Sequence, residues 1–328
     1  MMTHRSEAKS LTGKKVLDKV QRCTLYILVV CYKSSGTFAE TLESLKEIQT
    51  KETDIDVHIV DCSNEYELLA KIIKSVQGIP ITLYKQGENL GYAAGNNYLI
   101  ERVTDTGRYS KDDLVLIINP DIIVSWEIVE AMKNVLYSDE SGFAVSPSEC
   151  SRERRDEAKR PGLGLRRNRG MDFTGQRRAL RMQGGNEVIT TAAELTGACL
   201  MLRPWRLKDK LFNEDFYMYM EETELMIRAN RMGMHTYVLS DAWIVHESGD
   251  EDAKKRKCYY TARNSIKLAC MLPPLRCTRV LVARYVKPVA ILGLKYIVMG
   301  QWDKVLASVH GLADGLMKKK GRCERYHK

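Results

Sequence analysis

Apolar positions along the chain fall in short continuous runs, separated by stretches in which they recur every three or four residues. Residues 25–32 (LYILVVCY) form an apolar run of strand length, the pattern of a strand covered on both faces. In the following stretch, TFAETLESLKEIQT, Phe38, Leu42, Leu45 and Ile48 share one helical face. Residues 57–61 (VHIVD) read as a second buried strand, and 65–76 as a helix with Leu68, Leu69, Ile72, Ile73 and Val76 turned inward. A short strand, ITLYK, precedes the loop QGENLGYAAGNN, and residues 92–103 return to a helical pattern. Residues 113–121 (DLVLIINPD) give a further apolar strand ending in a turn, and 126–137 a further amphipathic helix. Strands alternating with helices in this way predict an α/β fold with a mostly parallel, helix-covered sheet, whose ligands belong at the carboxyl ends of the strands.

From 150 to 186 the periodicity gives way to Arg, Gly and Pro, which reads as a long loop or lid. Residues 193–203 (AELTGACLMLR) resume as a strand, 213–233 (NEDFYMYMEETELMIRANRMG) open a helix, and 235–249 read as a closing strand pair. The expected organisation is a basic tail at 1–22, a catalytic domain at 23–250 with its basic loop at 151–186, and a helical extension at 251–328.

Composition adds a charge asymmetry. The 328 residues carry a net charge of +9, but residues 151–181 hold eleven Lys/Arg against four Asp/Glu, and 254–328 hold eighteen against three, so the remainder is acidic. In the segment 276–298, Arg276, Arg279, Arg284, Lys287 and Lys295 share one side of a helical wheel beside apolar residues, although Pro288 would kink it. A basic stripe beside apolar surface suits an anionic membrane face, and a helix packed on the catalytic domain is the alternative. No RNA-binding signature accompanies the arginines, so nucleic acid is not an expected partner. Nine cysteines without a C-x-x-C pair fit a reducing, cytoplasmic setting, and no apolar run reaches the length of a spanning helix.

Candidate chemistry gathers at the strand ends. Asp61 closes VHIVD, Asn89 to Asn97 form a Gly- and Asn-rich loop, and Asp121 closes LIINPD. Singly these are ordinary turn residues; together, at one edge of one sheet, they make a polar pocket. Neither a G-x-x-x-x-G-K-[ST] loop nor a G-x-G-x-x-G after the first strand is present, which argues against a P-loop NTPase and a dinucleotide oxidoreductase. Asp121 is suited to hold Mg²⁺ or Mn²⁺ against phosphate oxygens, with His246 as a further ligand or simply a hydrogen-bonded strand-end residue. Of the three glutamates after the aromatic run, Glu224 stands four before Arg228 and is expected to pair with it. Glu221 and Glu222 have no such partner in the helix.

The sequence resembles the inverting family-two glycosyltransferases of the GT-A fold, and is similar to their bacterial rhamnosyltransferase-like members. The resemblance rests on VVCYKS, IVDCSN, ENLGYAAGNN, LIINPDI, LTGACLMLR, FNEDFYMYMEETELMIRANRMG and IVHESG in that order, between about residues 25 and 270. YYTARNSIKLA and GLADGLMKKKGR also look like the family's C-terminal extension. The resemblance implies a nucleotide-diphosphate sugar donor, dTDP- or UDP-linked, bound by Tyr32, Asp61, Asn89, Gly91, Asn96, Asn97 and Asn119. It implies a divalent cation on Asp121 and His246, Glu222 as general base, and an acceptor side formed by Gly197, Tyr219 and Glu221. The implied acceptor is a saccharide, free or on a lipid diphosphate, used in envelope polysaccharide synthesis at the inner face of the cell membrane. Two positions depart from the family pattern: Asn119 replaces a common Asp, and the base is Glu where Asp is usual. A sugar-nucleotide nucleotidyltransferase and a non-catalytic nucleotide- or glycan-binding module remain the rival readings.

Overall fold

The apolar runs become strands because a strand buried on both faces needs no polar alternation, and the amphipathic stretches become the helices that bury it. The computed structural model describes residues 23–48, 53–150, 178–181, 187–190, 195–246, 251–271 and 287–327. The expected tail at 1–22, most of the basic loop, and Arg276, Arg279 and Arg284 lie outside the described residues.

Strands β1 (Cys23–Cys31), β2 (Thr53–Asp61), β3 (Ile81–Lys85) and β4 (Leu114–Ile118) run parallel in the order β3-β2-β1-β4. Helices α1 (Phe38–Lys46), α2 (Tyr66–Ser75), α3 (Gly91–Asp105) and α4 (Trp126–Ser138) lie in the connections, as parallel pairing requires. The chain then adds β5 (Gly142–Cys150), β6 (Arg178–Arg181), β7 (Glu187–Thr190), β8 (Cys199–Leu202) and β9 (His235–Val245), giving one sheet of order β3-β2-β1-β4-β8-β5-β9-β7-β6. Only β8 and β7 run against the rest. The sheet is therefore mostly parallel, as its pattern predicts.

Alternation along β1 divides the core. Leu25, Ile27 and Val29 point into a cluster with Phe38, Leu42 and Met132, while Tyr26 and Leu28 point into one with Ala93, Leu99, Leu225 and Met226. At about 25 cal/mol per Å² of apolar surface, these two layers supply most of the drive to fold.

Several expectations need correction. β5 was not foreseen, and β6 and β7 form a short antiparallel hairpin, with β6 lying inside the stretch read as loop. Residues 235–245 form one strand rather than a pair: the register against β5 jumps from Pro147↔Leu239 to Ser148↔Trp243, so the polar interruption at Ser240 and Asp241 is a bulge. Leu68 is half exposed rather than inward. Among the described residues of the stretch 193–203, only Cys199–Leu202 is strand.

Beyond β8 the chain forms α5 (Glu221–Arg231), and beyond β9 it forms α6 (Glu251–Met271), α7 (Lys287–Val298) and α8 (Trp302–Leu316). Helix α6 packs along α8 through close backbone contact, and no helix among the described residues is long and apolar enough to cross a membrane.

Candidate active site

The strand order changes direction between β1 and β4, and the polar residues collect at the carboxyl ends around that point. Asp61, the last residue of β2, is fully buried; its Oδ1 accepts hydrogen bonds from the Ser63 N–H at 2.8 Å and the Ser63 hydroxyl at 2.7 Å. Its Oδ2 has no partner. Six buried side-chain polar atoms among the described residues are unpartnered, and five belong to this edge, to the second turn of α3 or to the first turn of α5: Ser34 Oγ, Asp61 Oδ2, Asn96 Oδ1, Asp121 Oδ1 and Glu221 Oε2. Buried polar groups are normally satisfied, so such a cluster marks a surface built for a polar ligand.

Asn119 and Asp121 follow β4, and His246 follows β9. The His246 Nε2 lies 3.5 Å from Asp121 Oδ2 and 3.3 Å from the Asn119 amide nitrogen. On its other side, His246 Nδ1 meets Glu149 Oε1 at 2.6 Å, and Glu149 Oε2 accepts from the Thr196 hydroxyl at 2.8 Å. Burial disfavours a charged imidazole here, but hydrogen bonds to Asp121 and Glu149 outweigh it and raise His246 to about 9. Asp121 keeps one buried oxygen unpartnered and its other oxygen lies 3.5 Å from Nε2, so these two side chains could offer donors to one cation, although no group of three His, Cys, Asp or Glu side chains placed to hold a metal is found among the described residues. Glu149 orients the ring from behind, as carboxylates commonly do for ligating histidines. Glu149 escaped the sequence reading; an acid near the end of the otherwise uncharged FAVSPSEC was its only signal.

The stretch expected as a Gly- and Asn-rich loop is helical from Gly91 onward. Gly91 has φ +73°, and a Cβ there would sit 2.6 Å from the Tyr217 ring and carbonyl oxygen, so the glycine serves close packing against the later loop. Asn89 Oδ1 accepts from the Gly91 N–H at 3.0 Å. The Asn97 amide donates to Phe212 O and Glu214 Oε1 and accepts from the Phe212 N–H, so its bonds hold the 212–214 segment. Asn96 donates to Tyr92 O. Tyr32, just past β1, is partly buried, with the Lys33 ammonium 5.5 Å from its ring.

Residues 216–220 enter α5 through a strained backbone. Tyr217, Tyr219 and Met220 all have positive φ, at 68°, 63° and 73°. Tyr217 (ψ −60°) with the Met218 N–H on Phe216 O makes a γ-turn of the rare positive-φ kind. Strain of about 1–3 kcal/mol per such residue persists only where surroundings over-determine the shape. Helix α6 does so: the fully buried Asn264 amide points at Phe216 O, Met218 O and Tyr219 O at 3.1, 2.9 and 2.7 Å. Its neighbour Arg263, also buried, donates to Phe216 O at 2.8 Å and Gly321 O at 2.6 Å. From the other side, the Ala93 N–H donates to Tyr217 O at 3.2 Å. Arg263 and Asn264 were seen in the sequence only as part of a C-terminal extension. Their signal was an Arg-Asn pair beside tyrosines inside a helix.

This loop delivers Glu221 and Glu222 to the first turn of α5. Burial, then the adjacent Glu222 charge, drives Glu221 well above the carboxylate range; burial raises Glu222 to about 7. Glu221 is buried and Glu222 partly open. Glu224 pairs with Arg228 at 3.0 Å, as the spacing predicts. Asp215 is drawn into ion pairs with Lys267 and Lys320, both at 3.0 Å; burial opposes its charge, but these partners hold it below the usual range. Tyr92 donates to Gly197 O at 2.7 Å and lies in the field of both glutamates, while Tyr219 packs beside them. The Lys257 ammonium on α6 is within electrostatic reach of both Glu149 and Glu222.

A mixed sheet of this kind, with acids at the ends of β2 and β4, is the GT-A fold of glycosyltransferases. Solved structures that share it include two that cover most of this chain. One is the mannosyltransferase PcManGT of Pyrobaculum calidifontis in complex with GDP-Man and Mn²⁺, at 12% identity and TM-score 0.56 over 92% of this chain and 89% of that one. The other is S. aureus TarS 1–349 in complex with UDP-GlcNAc, at 14% identity and TM-score 0.56 over 92% and 82%. At such identities the likeness is one of fold. Residues 26–193 match the family model Glycosyl transferase family 2, and the chain belongs to that family. It is 27% identical over 215 residues to the low-salt glycan biosynthesis hexosyltransferase Agl10 of Haloferax volcanii, covering 63% of this chain and 62% of that protein's length.

Proposed function

We propose that the protein transfers a hexose, rhamnose or a similar sugar, from a nucleoside-diphosphate donor to a saccharide hydroxyl with inversion at the anomeric carbon. The acceptor is a saccharide, free or carried on a lipid diphosphate, in envelope polysaccharide assembly. The carrying observation is the group of unpartnered buried polar atoms that runs from Asp61 and Asp121 to Glu221 around one sheet edge. Asp61 Oδ2 is free to accept from a ribose or base, beside Tyr32 and Asn96. Asp121 and His246 would hold a divalent cation, Mn²⁺ or Mg²⁺, which when bound supplies positive charge against the departing diphosphate. The printed GDP-Man and Mn²⁺ of PcManGT, and UDP-GlcNAc of TarS, support a donor and cation of these classes.

A sugar hydroxyl is a weak nucleophile and must lose its proton as it attacks. Glu222 is the base: it is the more open carboxylate of the pair, and a value near 7 gives it proton affinity without locking it protonated at neutral pH. Glu221, held protonated by burial and its neighbour, serves as a donor toward the acceptor beside Gly197, Tyr92 and Tyr219. One base and one displacement give inversion, without the paired acid and nucleophile of a retaining glycosidase. The test is Glu222→Gln with UDP-, dTDP- and GDP-sugars and Mn²⁺: transfer is lost while donor-induced thermal stabilisation remains. Turnover that survives the substitution removes Glu222 from the role, and release of inorganic diphosphate instead of a nucleoside diphosphate would make the protein a nucleotidyltransferase.

A further inference from the structure

Helix α8 is built inside out. Its buried face is made of Lys304, Ala307, Ser308, Gly311, Asp314 and Gly315, small or polar residues, whereas Trp302, Leu306, Val309 and Leu316 form a stripe directed away from the protein. The inner face leaves no room for larger side chains: a Cβ on Gly311 would lie 2.2 Å from Tyr259 O, and one on Gly315 2.8 Å from Arg263 O. Close backbone contact with α6 therefore dictates the small residues, while nothing about packing dictates the large apolar ones outside. The inward polar groups are satisfied, Lys304 by Glu251 at 2.8 Å and Asp314 by Tyr259 and Lys319 at 2.7 and 2.8 Å, so the orientation is set by specific bonds.

Helix α7, joined to α8 by a short turn, continues this surface. It touches the body through Val289 and Tyr296, and leaves Ile291, Leu294 and Val298 in solvent, Val298 at 88% exposure. Eleven of the sixteen exposed large apolar side chains among the described residues lie between 291 and 317. An apolar concentration of that kind is a docking surface.

Charge selects the occupant. Lys287, Lys295 and Lys318 stand exposed around the patch, and the three acids of 254–328 do not balance the eighteen bases there; Asp314 is buried, and Asp303 lies 3.5 Å from Lys255. A second copy of the same face would bring like charges together across the contact. A bilayer with anionic headgroups accepts both halves of the pattern, apolar side chains among acyl chains and lysines on phosphates. The twelve residues of α7 are far short of the ~20 needed to span, so the pair would lie in the interface plane.

We propose that the outer face of α7 and α8 docks the protein on an anionic lipid bilayer, with Val298, Trp302 and Leu306 among the inserted side chains. This surface differs from the basic stripe expected at 276–298, whose arginines lie outside the described residues. The proposal does not rest on the transferase reading, because binding is measured without donor or turnover.

The test is sedimentation of the full chain with vesicles of phosphatidylcholine alone or mixed with phosphatidylglycerol. Binding to the mixed vesicles is expected, with the Trp302 emission blue-shifted, as judged against Trp302→Phe. The double variant Val298→Glu/Leu306→Glu, at positions where solvent already reaches, is expected to keep its thermal midpoint and lose at least tenfold in vesicle affinity. Unchanged vesicle binding by that variant overturns the proposal. So does a wild-type chain that ignores vesicles and self-associates through a contact the double substitution abolishes, which would make a second copy the occupant.

Discussion

Removal of the Asn264 side chain by Asn264→Ala separates the shape of the Glu222 loop from the chemistry of Glu222. The amide is the side-chain donor to Met218 O and Tyr219 O, whereas Phe216 O keeps Arg263. Two carbonyls of a loop with three positive-φ residues would then be left unpaired. At about 1–3 kcal/mol for each buried group so abandoned, and with water able to enter the vacated space, the loss is about 2–4 kcal/mol in urea unfolding. The backbone strain stored at Tyr217, Tyr219 and Met220 would relax, and Glu222 would shift and gain water. Displacement of a reacting group by about 1 Å costs up to ~100-fold, so turnover should fall ~10- to ~100-fold with donor KM nearly unchanged. The acid limb of the kcat–pH profile should also move down from near 7, toward an ordinary glutamate, because burial is what holds it up. The assay is transfer kinetics between pH 5 and 9 on protein shown to be folded. Wild-type turnover with an unmoved acid limb would refute the positioning role, whatever happened to stability.

Other expected outcomes follow from single contacts. In the parent protein, kcat should rise with pH through about 7 as Glu222 loses its proton, and Glu221→Leu, which keeps the site buried, should raise that midpoint by removing the hydrogen bond through which Glu221 lowers Glu222, both read from the pH–rate profile. Because both glutamates have folded-state values raised above the unfolded range, they favour the fold most at low pH and less as pH rises through the window from about 4.5 to about 7. Urea titrations of Glu221→Gln across that window should therefore show a flatter pH dependence than the parent. Glu149→Gln should weaken Mn²⁺ binding ~10- to ~100-fold in isothermal titration by loosening His246. Gly91→Ala should destabilise the protein by at least about 2 kcal/mol in urea unfolding, since it combines a positive φ with a Cβ 2.6 Å from the Tyr217 carbonyl.

Legibility in the sequence tracked how local each determinant is. Strands β1, β2 and β4 could be read because central parallel strands, buried on both faces, appear as unbroken apolar runs. Strand β5 could not: Ser146 and Ser148 are buried, Pro147 interrupts the pattern, and its register depends on the bulge in β9. The short β6 carries Arg178 and Arg181 and pairs with β7 at the sheet edge, where four-residue strands leave little apolar periodicity to read.

The same division runs through the site. Motif order and strand ends in the sequence marked Asp61, Asp121, His246 and the Glu221–Glu222 pair, because turns after strands and the start of a helix are local features. The sequence also assigned Glu224 to Arg228, a partner four residues away. Only the tertiary structure joined Glu149 to His246 across 97 positions and Asn264 to the 216–219 carbonyls across 45 to 48. Only it turned the small residues of α8 inward and its large apolar residues out. Residue pattern specifies which elements form and which face is apolar. What an isolated polar group bonds to, and whether an apolar face meets the core or the outside, is decided by which distant backbone lies within about 3 Å, and that is a property of the packed chain.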